Sequence, residues 1–285
     1  VAGDGPAARL SGQRGGSPVL NRLAWGTDLH FDHAGAHARE RFLAEVEESG
    51  AEALLLSGDL GEADTVAGFL EELEARLARP IYFVLGNHDF YGSSIERVRA
   101  DVAGTARRAR ELHWLTAEGP IELSPTVGLV GHDGWSDARN GDWEDSRVKL
   151  TDYRLIQDLA GLDRDRLRAK LQALGDEAAA HLGRVLPEAA RRFAEVILVT
   201  HVPPFPLACL YEGRPADSVW LPHFTCGAVG EVLTRVMAEH PACRLTVLCG
   251  HTHCPARFHA AANIDVVTGG AEYGSPRLAS LLELE

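Results

Sequence analysis

Cysteine, methionine and positive charge are scarce in this 285-residue chain, and long apolar runs are missing altogether. Its five cysteines all fall after residue 200 and none stands in a CxxC pair. That pattern argues against a disulfide framework and for a reducing, cytoplasmic setting. No apolar run approaches the roughly 20 residues needed to span a bilayer. The N-terminal stretch also lacks the apolar segment, about 7 to 15 residues long, of a signal peptide. The expectation is therefore a soluble protein with no membrane partner. Basic residues number 28 against 41 acidic ones, a formal charge of -13. This balance lacks the broad positive surface that dominates nucleic-acid affinity, so long duplex nucleic acid is a poor partner. What remains is ordinary: 45% hydrophobic and 24% charged residues suffice for one sizeable core.

From Val1 to Pro18 the chain is rich in Gly, Pro, Ser and Arg without apolar periodicity, which predicts a flexible tail over residues 1–20 and a folded domain over 21–285. Short apolar runs follow: Leu23–Thr27, Ala53–Ser57, Ile81–Leu85, Val127–Gly131, Val196–Thr200, Leu245–Cys249 and Ile264–Thr268. Each ends in Gly, Asp, Asn, His, Cys or Thr, or runs directly into such residues, as buried strands do where they open into loops. Between them lie amphipathic helices, marked by Val66, Phe69, Leu70, Leu73 and Leu77, or by Val229, Val232, Leu233, Val236 and Met237. The alternation predicts an α/β layered fold. Residues 136–195 break it. They are mainly helical, with Leu155, Leu159, Leu162, Leu167, Leu171 and Leu174 as apolar markers, and read as an insertion between two core strands. Such an apolar face needs a surface, which makes the segment either a cap over a cleft or a homodimer interface.

Short motifs sit at the carboxyl ends of the predicted strands: Thr27-Asp28-Leu29-His30, Ser57-Gly58-Asp59, Gly86-Asn87-His88-Asp89, Thr200-His201-Val202-Pro203-Pro204 and Gly250-His251-Thr252-His253. Ligands of open α/β sheets collect at that edge. The donors are oxygen and nitrogen with no thiolate, which suits Mn, Fe or Zn, and the number of histidines makes Mg alone a poorer fit. A carboxylate has two oxygens and can serve two cations, so Asp59 is the natural bridge. Alternating histidines such as His251 and His253 can point to different metals. Bound cations would also draw a small anionic substrate into an otherwise acidic molecule.

This ordered set resembles the calcineurin-like metallophosphoesterase family, whose pattern runs DxH, GD, GNHD, a lone His after a strand, and GHxH; the likeness extends from residue 22 to about 280. The resemblance implies a layered αββα sandwich and hydrolysis of phosphomonoesters or phosphodiesters at a dinuclear centre. It implies that Asp28, His30 and His253 hold one metal and Asn87, His201 and His251 the other, with Asp59 shared. It further implies that His88 protonates the leaving oxygen or steadies the transition state, with Asp89 orienting it. Imidazole suits such a role, since its unperturbed pKa is about 6.5. For Asp89 a turn-capping role is the equal alternative. A non-catalytic metal-binding scaffold of the same fold and a nuclease are the competing functions. Arg139, after the strand ending at Gly131, is a candidate phosphate clamp, and His223 a candidate pocket residue, although loop packing explains both.

Overall fold

An apolar run with no polar alternation must be buried on both faces, and the chain meets that demand with two stacked sheets. The computed structural model describes residues 19–284. With elements numbered in chain order, the first sheet joins β13 (Leu278–Glu283), β1 (Arg22–Gly26), β2 (Ala53–Ser57), β3 (Ile81–Val84) and β4 (Leu112–Trp114). All are parallel except β13. The second joins β11 (Ala256–Ala261), β12 (Ile264–Thr268), β10 (Arg244–Cys249), β7 (Glu195–Thr200), β6 (Val127–His132) and β5 (Ile121–Glu122), with the two edge strands antiparallel. A small hairpin, β8 (Leu210–Tyr211) with β9 (Arg214–Pro215), stands apart.

Side-chain alternation sorts each central strand between layers. Leu23, Trp25, Leu55, Tyr82 and Val84 of the first sheet meet Val127, Leu129, Ile197 and Val199 of the second. Trp25, the bulkiest of them, satisfies its indole N–H on Ser57 Oγ at 3.0 Å. The opposite faces look outward: Ala24, Leu54, Leu56 and Phe83 onto α1 (Ala36–Glu48), α2 (Val66–Leu77) and α3 (Ile95–Arg108). Val196, Leu198 and Val247 face α5 (Arg164–Arg192) and α7 (Gly227–Glu239). The result is the αββα sandwich that the resemblance implies. The short helices α4 (Asp152–Leu155) and α6 (Leu221–Phe224) lie in loops.

The structure corrects three expectations. Leu20 belongs to the folded part, since it is buried and its amide bonds to the Leu123 carbonyl; residues 1–18 of the expected tail lie outside the described residues. The strands absent from the sequence reading are sheet edges or the hairpin, where one face or one flank is open and no continuous apolar run is required. Residues 136–195 do not form a single helical cap. Helix α5 is itself a layer of the sandwich: Leu182, Leu186 and Ala189 pack with Val130 and Leu198, and the earlier Leu171 and Leu174 pack with Ile156, Leu159 and Phe90. Its apolar stripe is thus covered within the chain, and only Leu150, Thr151 and Asp152 of the whole segment line the cleft described below.

The loop after β6 is anchored by buried Asp137, whose carboxylate accepts the first amides of α7, from Gly227 at 3.0 Å and Ala228 at 2.8 Å. Asp137→Ala leaves both donors without that partner, so a loss of about 1–3 kcal/mol is expected in chemical denaturation, with metal content unchanged. A variant as stable as the parent would show that the helix end is capped in another way.

Candidate functional site

Five loops converge where the C-terminal ends of β1, β2, β3, β7 and β10 meet, and they carry every candidate donor of the five motifs. Five of the candidate donors hold left-handed backbone: Asp28 (φ 50), His30 (φ 43), Asp59 (φ 54), His251 (φ 70) and His253 (φ 54). Such conformations cost of order 1–3 kcal/mol each and persist where surrounding structure enforces them. Here the loops lace one another. Asp28 N–H donates to the Gly58 carbonyl at 3.0 Å, His30 N–H to the Asp59 carbonyl at 2.9 Å, and Gly250 N–H to the His201 carbonyl at 2.9 Å. His251 N–H donates to Asp28 Oδ1 at 3.0 Å. Glycine is required at Gly86 and Gly250 for room: a Cβ there would strike the Asp59 carboxylate and the His201 ring, or the Asp28 carboxylate and Thr27 Oγ1.

Asp28, His30, Asp59 and His253 offer ligand atoms that all lie within 4.8 Å of one another. Within this group His30 Nε2 and His253 Nε2 face each other at 3.0 Å, and His253 Nε2 lies 3.4 Å from Asp28 Oδ1. A second set adjoins it. His201 Nε2 stands 2.9 Å from Asn87 Oδ1 and 3.4 Å from Asp59 Oδ2, while the His251 ring packs edge-on against His201 at 5.0 Å. The outward-facing atoms are tied down as metal-ligand orientation demands. His201 Nδ1 donates to the Ser57 carbonyl at 2.8 Å, and His251 Nε2 to the His223 carbonyl at 3.4 Å.

Burial would raise the pKa of both Asp28 and Asp59, but the neighbouring imidazoles outweigh it and keep both carboxylates ionised. Burial works downward on His201, yet the Asp59 carboxylate beside it pushes the net value up to about 10. Burial dominates at His30, lowered to about 4, and at His251, lowered to about 3 with the His201 charge adding to the effect. The cluster therefore holds buried negative charge beside two neutral imidazoles with lone pairs to give, His30 and His251, and beside two that the carboxylates draw toward the protonated form, His201 and His253. A proton on His201 Nε2 facing Asn87 Oδ1 stands where a cation fits the donors better.

Asp89 does not orient His88. Its buried carboxylate accepts four backbone amides, from Asp59 (3.0 Å), Leu60 (2.9 Å), Gly61 (2.9 Å) and Gly86 (2.8 Å), and so ties the β2 loop to the β3 loop. Burial and the Asp59 charge push its pKa up to about 8, against those amides. The His88 ring lines the cleft, stacked on Tyr91 at 4.3 Å and edge-on to His30 at 4.6 Å. Arg139 is no clamp at this site: its guanidinium pairs with Asp137 at 3.0 Å and Asp176 at 2.7 Å, outside the cleft. The His223 ring is also turned away, fixed between Ser146 Oγ and the Tyr153 hydroxyl, and only its carbonyl reaches His251.

Three cleft residues carried no sequence signal. Asp152, buried, accepts the Tyr91 hydroxyl at 2.6 Å and Asn87 Nδ2 at 3.0 Å, and by taking the amide N–H it leaves Asn87 Oδ1 facing His201. Tyr91 completes that triangle, and Tyr273 covers the His30 and His253 rings at 4.5 and 5.0 Å. No short motif announces Asp152, because it arrives from a loop more than sixty residues further along the chain than Asn87.

Two facing sheets with an Asp/His cluster between their strand ends define the class of α/β metallophosphoesterases. Residues 22–255 match the calcineurin-like phosphoesterase family, and the chain belongs to that family. Among solved structures it is similar to a dimetal phosphatase from Danio rerio, with 14% identity over 94% of this chain and 93% of that one and a TM-score of 0.59. It is likewise similar to a phosphopantetheinyl hydrolase from Mycobacterium tuberculosis, with 17% identity over 91% and 96% of the two chains and a TM-score of 0.63. At such identities the likeness is one of fold. No curated protein matches the sequence significantly. No helix among the described residues is long and apolar enough to cross a membrane.

Asp152→Ala frees the Asn87 amide to rotate. Metal affinity at the Asn87 and His201 side should fall about 10- to 100-fold, read by titration of the chelated protein, whereas Arg139→Ala should leave that affinity unchanged. Equal affinity in the Asp152 variant and the parent would exclude the orienting role.

Proposed function

We propose that this chain hydrolyses phosphoesters with two metal ions, one held by Asp28, His30 and His253, the other by Asn87, His201 and His251, and Asp59 shared between them. The observation that carries the reading is the position of Asp59, whose Oδ2 lies 3.7 Å from His30 Nε2 and 3.4 Å from His201 Nε2. One carboxylate thus faces both donor groups. The nitrogen and oxygen donors favour Mn, Fe or Zn. When bound, such a pair supplies Lewis acidity, an acidified water and charge to neutralise the phosphoryl oxygens.

The protein's own groups supply the rest. Asp152 and Tyr91 fix the Asn87 amide, Ser57 fixes the His201 tautomer, and the laced loops hold the donors at rigid separations before any substrate arrives. His88 is the proton donor to the leaving oxygen, or the group that steadies charge there. It faces the cleft, its backbone N–H is pinned to Asp59 Oδ1 at 2.8 Å, and among the described residues its ring makes aromatic contacts rather than hydrogen bonds. Stacking leaves the ring nitrogens available for a phosphoester oxygen.

Asp59→Ala should abolish turnover and lower metal content per chain; a variant that keeps two metals and parental rate would rule out the shared-ligand role. His88→Ala should retain its metals yet lose about 10²- to 10⁴-fold in rate on a substrate with a poor leaving group. The loss should be much smaller with a nitrophenolate leaving group, which needs no proton. Equal losses on the two substrates would count against proton donation.

A further inference from the structure

The wall facing the donor cluster is apolar and, among the described residues, carries no Lys or Arg. The cleft, about 410 Å³ in volume, is lined by Asp59, His88 and His253 of the cluster and by Leu150, Leu210, Tyr211, Trp220 and Phe224, among others, with no Lys or Arg among the described residues that line it. Asp152 is the other carboxylate there. Large hydrophobic side chains left open to solvent gather at the same place: Tyr211 is 69% exposed, Trp220 46% and Tyr273 51%, and all three line the cleft. Exposed apolar surface concentrated at one concavity marks a contact site rather than ordinary surface scatter.

Local structure holds these rings in place. The β8–β9 hairpin turns through Glu212 (φ 48) and Gly213 (φ 74), a two-residue turn with both centres left-handed, which sets Tyr211 just before the bend. Gly213 N–H donates to Cys254 Sγ at 3.4 Å, tying the hairpin tip to the residue after His253. Also in the lining, a row of rings runs from a candidate ligand to an exposed ring: His251 lies against Phe224 at 4.9 Å, and Phe224 against Trp220 at 5.9 Å. A flat group attached to a phosphorus at the metals would continue that row. A second anionic group on it would share the cleft with the Asp152 carboxyl and meet no Lys or Arg among the described lining residues. Lys149, Arg154 and Arg164 line a different cavity, which shares only Leu150 and Thr151 with this one.

We infer that the cleft selects phosphoesters whose phosphoryl group is the only strong negative charge and whose leaving group is an uncharged aromatic or similarly flat apolar moiety, seated between Tyr211 and Trp220. The inference rests on the phosphoesterase reading above and adds the substrate class to it. Its test is calorimetric titration of the Mn-loaded protein with phenylphosphonate, methylphosphonate and phosphonoacetate, which share the phosphonate head. Phenylphosphonate should bind about ten-fold more tightly than methylphosphonate, and phosphonoacetate no more tightly than methylphosphonate. In the Tyr211→Ala/Trp220→Ala double variant the aryl preference should shrink to about two-fold or less, with methylphosphonate affinity and metal content unchanged. The single variants, each at an exposed position, should each lose part of it. Equal binding of the phenyl and methyl compounds, a preference that survives the double substitution, or tightest binding of phosphonoacetate would each overturn the inference. Hydrolysis of phenyl phosphate and of diphenyl phosphate, a monoester and a diester measured alongside with Mn, Fe and Zn, separates the two readings. No turnover with any metal sinks the phosphoesterase assignment, whereas turnover without aryl preference in binding sinks only the leaving-group class.

Discussion

The buried carboxylate of Asp89 is the joint on which the candidate centre depends. By accepting amides from Asp59, Leu60, Gly61 and Gly86 it locks the loop after β2 to the loop after β3, and so sets where Asp59 and Asn87 can stand. A buried carboxyl group without partners would be costly, and four amide donors supply compensation even though burial and the Asp59 charge hold its pKa up. The remaining loops are strung from that joint in sequence: β1 to β2 through the Asp28 amide, β10 to β1 through the Asp28 carboxylate, and β7 to β2 through the His201 ring. Removing one link loosens donors from both sets, because no loop is held by its own strand alone.

Strain and charge follow from the same construction. Left-handed backbone at Asp28, His30, Asp59, His251 and His253 turns side chains from both sheets into one small volume, where like charges and imidazoles crowd. Hydrophobic packing elsewhere sustains this arrangement. The inter-sheet layer around Trp25, Leu55 and Val199 lies directly beneath the strands that launch these loops, so displacement of a donor works against a closely packed interior. A site rigid before ligand arrives is suited to developing charge, since little reorganisation is left for the reaction.

The cleft shows a division of labour. Apart from Asp152 and the His223 carbonyl, the groups that fix the cluster come from the strands and their end loops, whereas those that would touch the rest of a substrate come from segments outside the layers: Leu150–Asp152, the β8–β9 hairpin, Trp220 with α6, and the loop bearing Tyr273. Such loops can vary without disturbing the core, and family membership consequently fixes the chemistry far more firmly than the substrate.

By itself the sequence determined the central strands and which candidate donors gather at their ends. Strands buried on both faces must be continuously apolar, and donors that hang one to four residues beyond a strand end are visible as short motifs. Asp28, His30, Asp59, Asn87, His201, His251 and His253 were legible for that reason, as was His88 beside them. Tertiary structure decided everything that depends on direction. The Arg139 side chain could have faced the cleft, but Asp137 and Asp176 draw it away; the His223 ring is held by Ser146 and Tyr153; and Asp89 turns to four amides instead of to His88. The edge strands, the place of α5 as a layer and the role of Asp152 were hidden likewise. Each is fixed by partners far away in the chain, and a residue's local pattern carries no record of which distant group its polar atoms will meet.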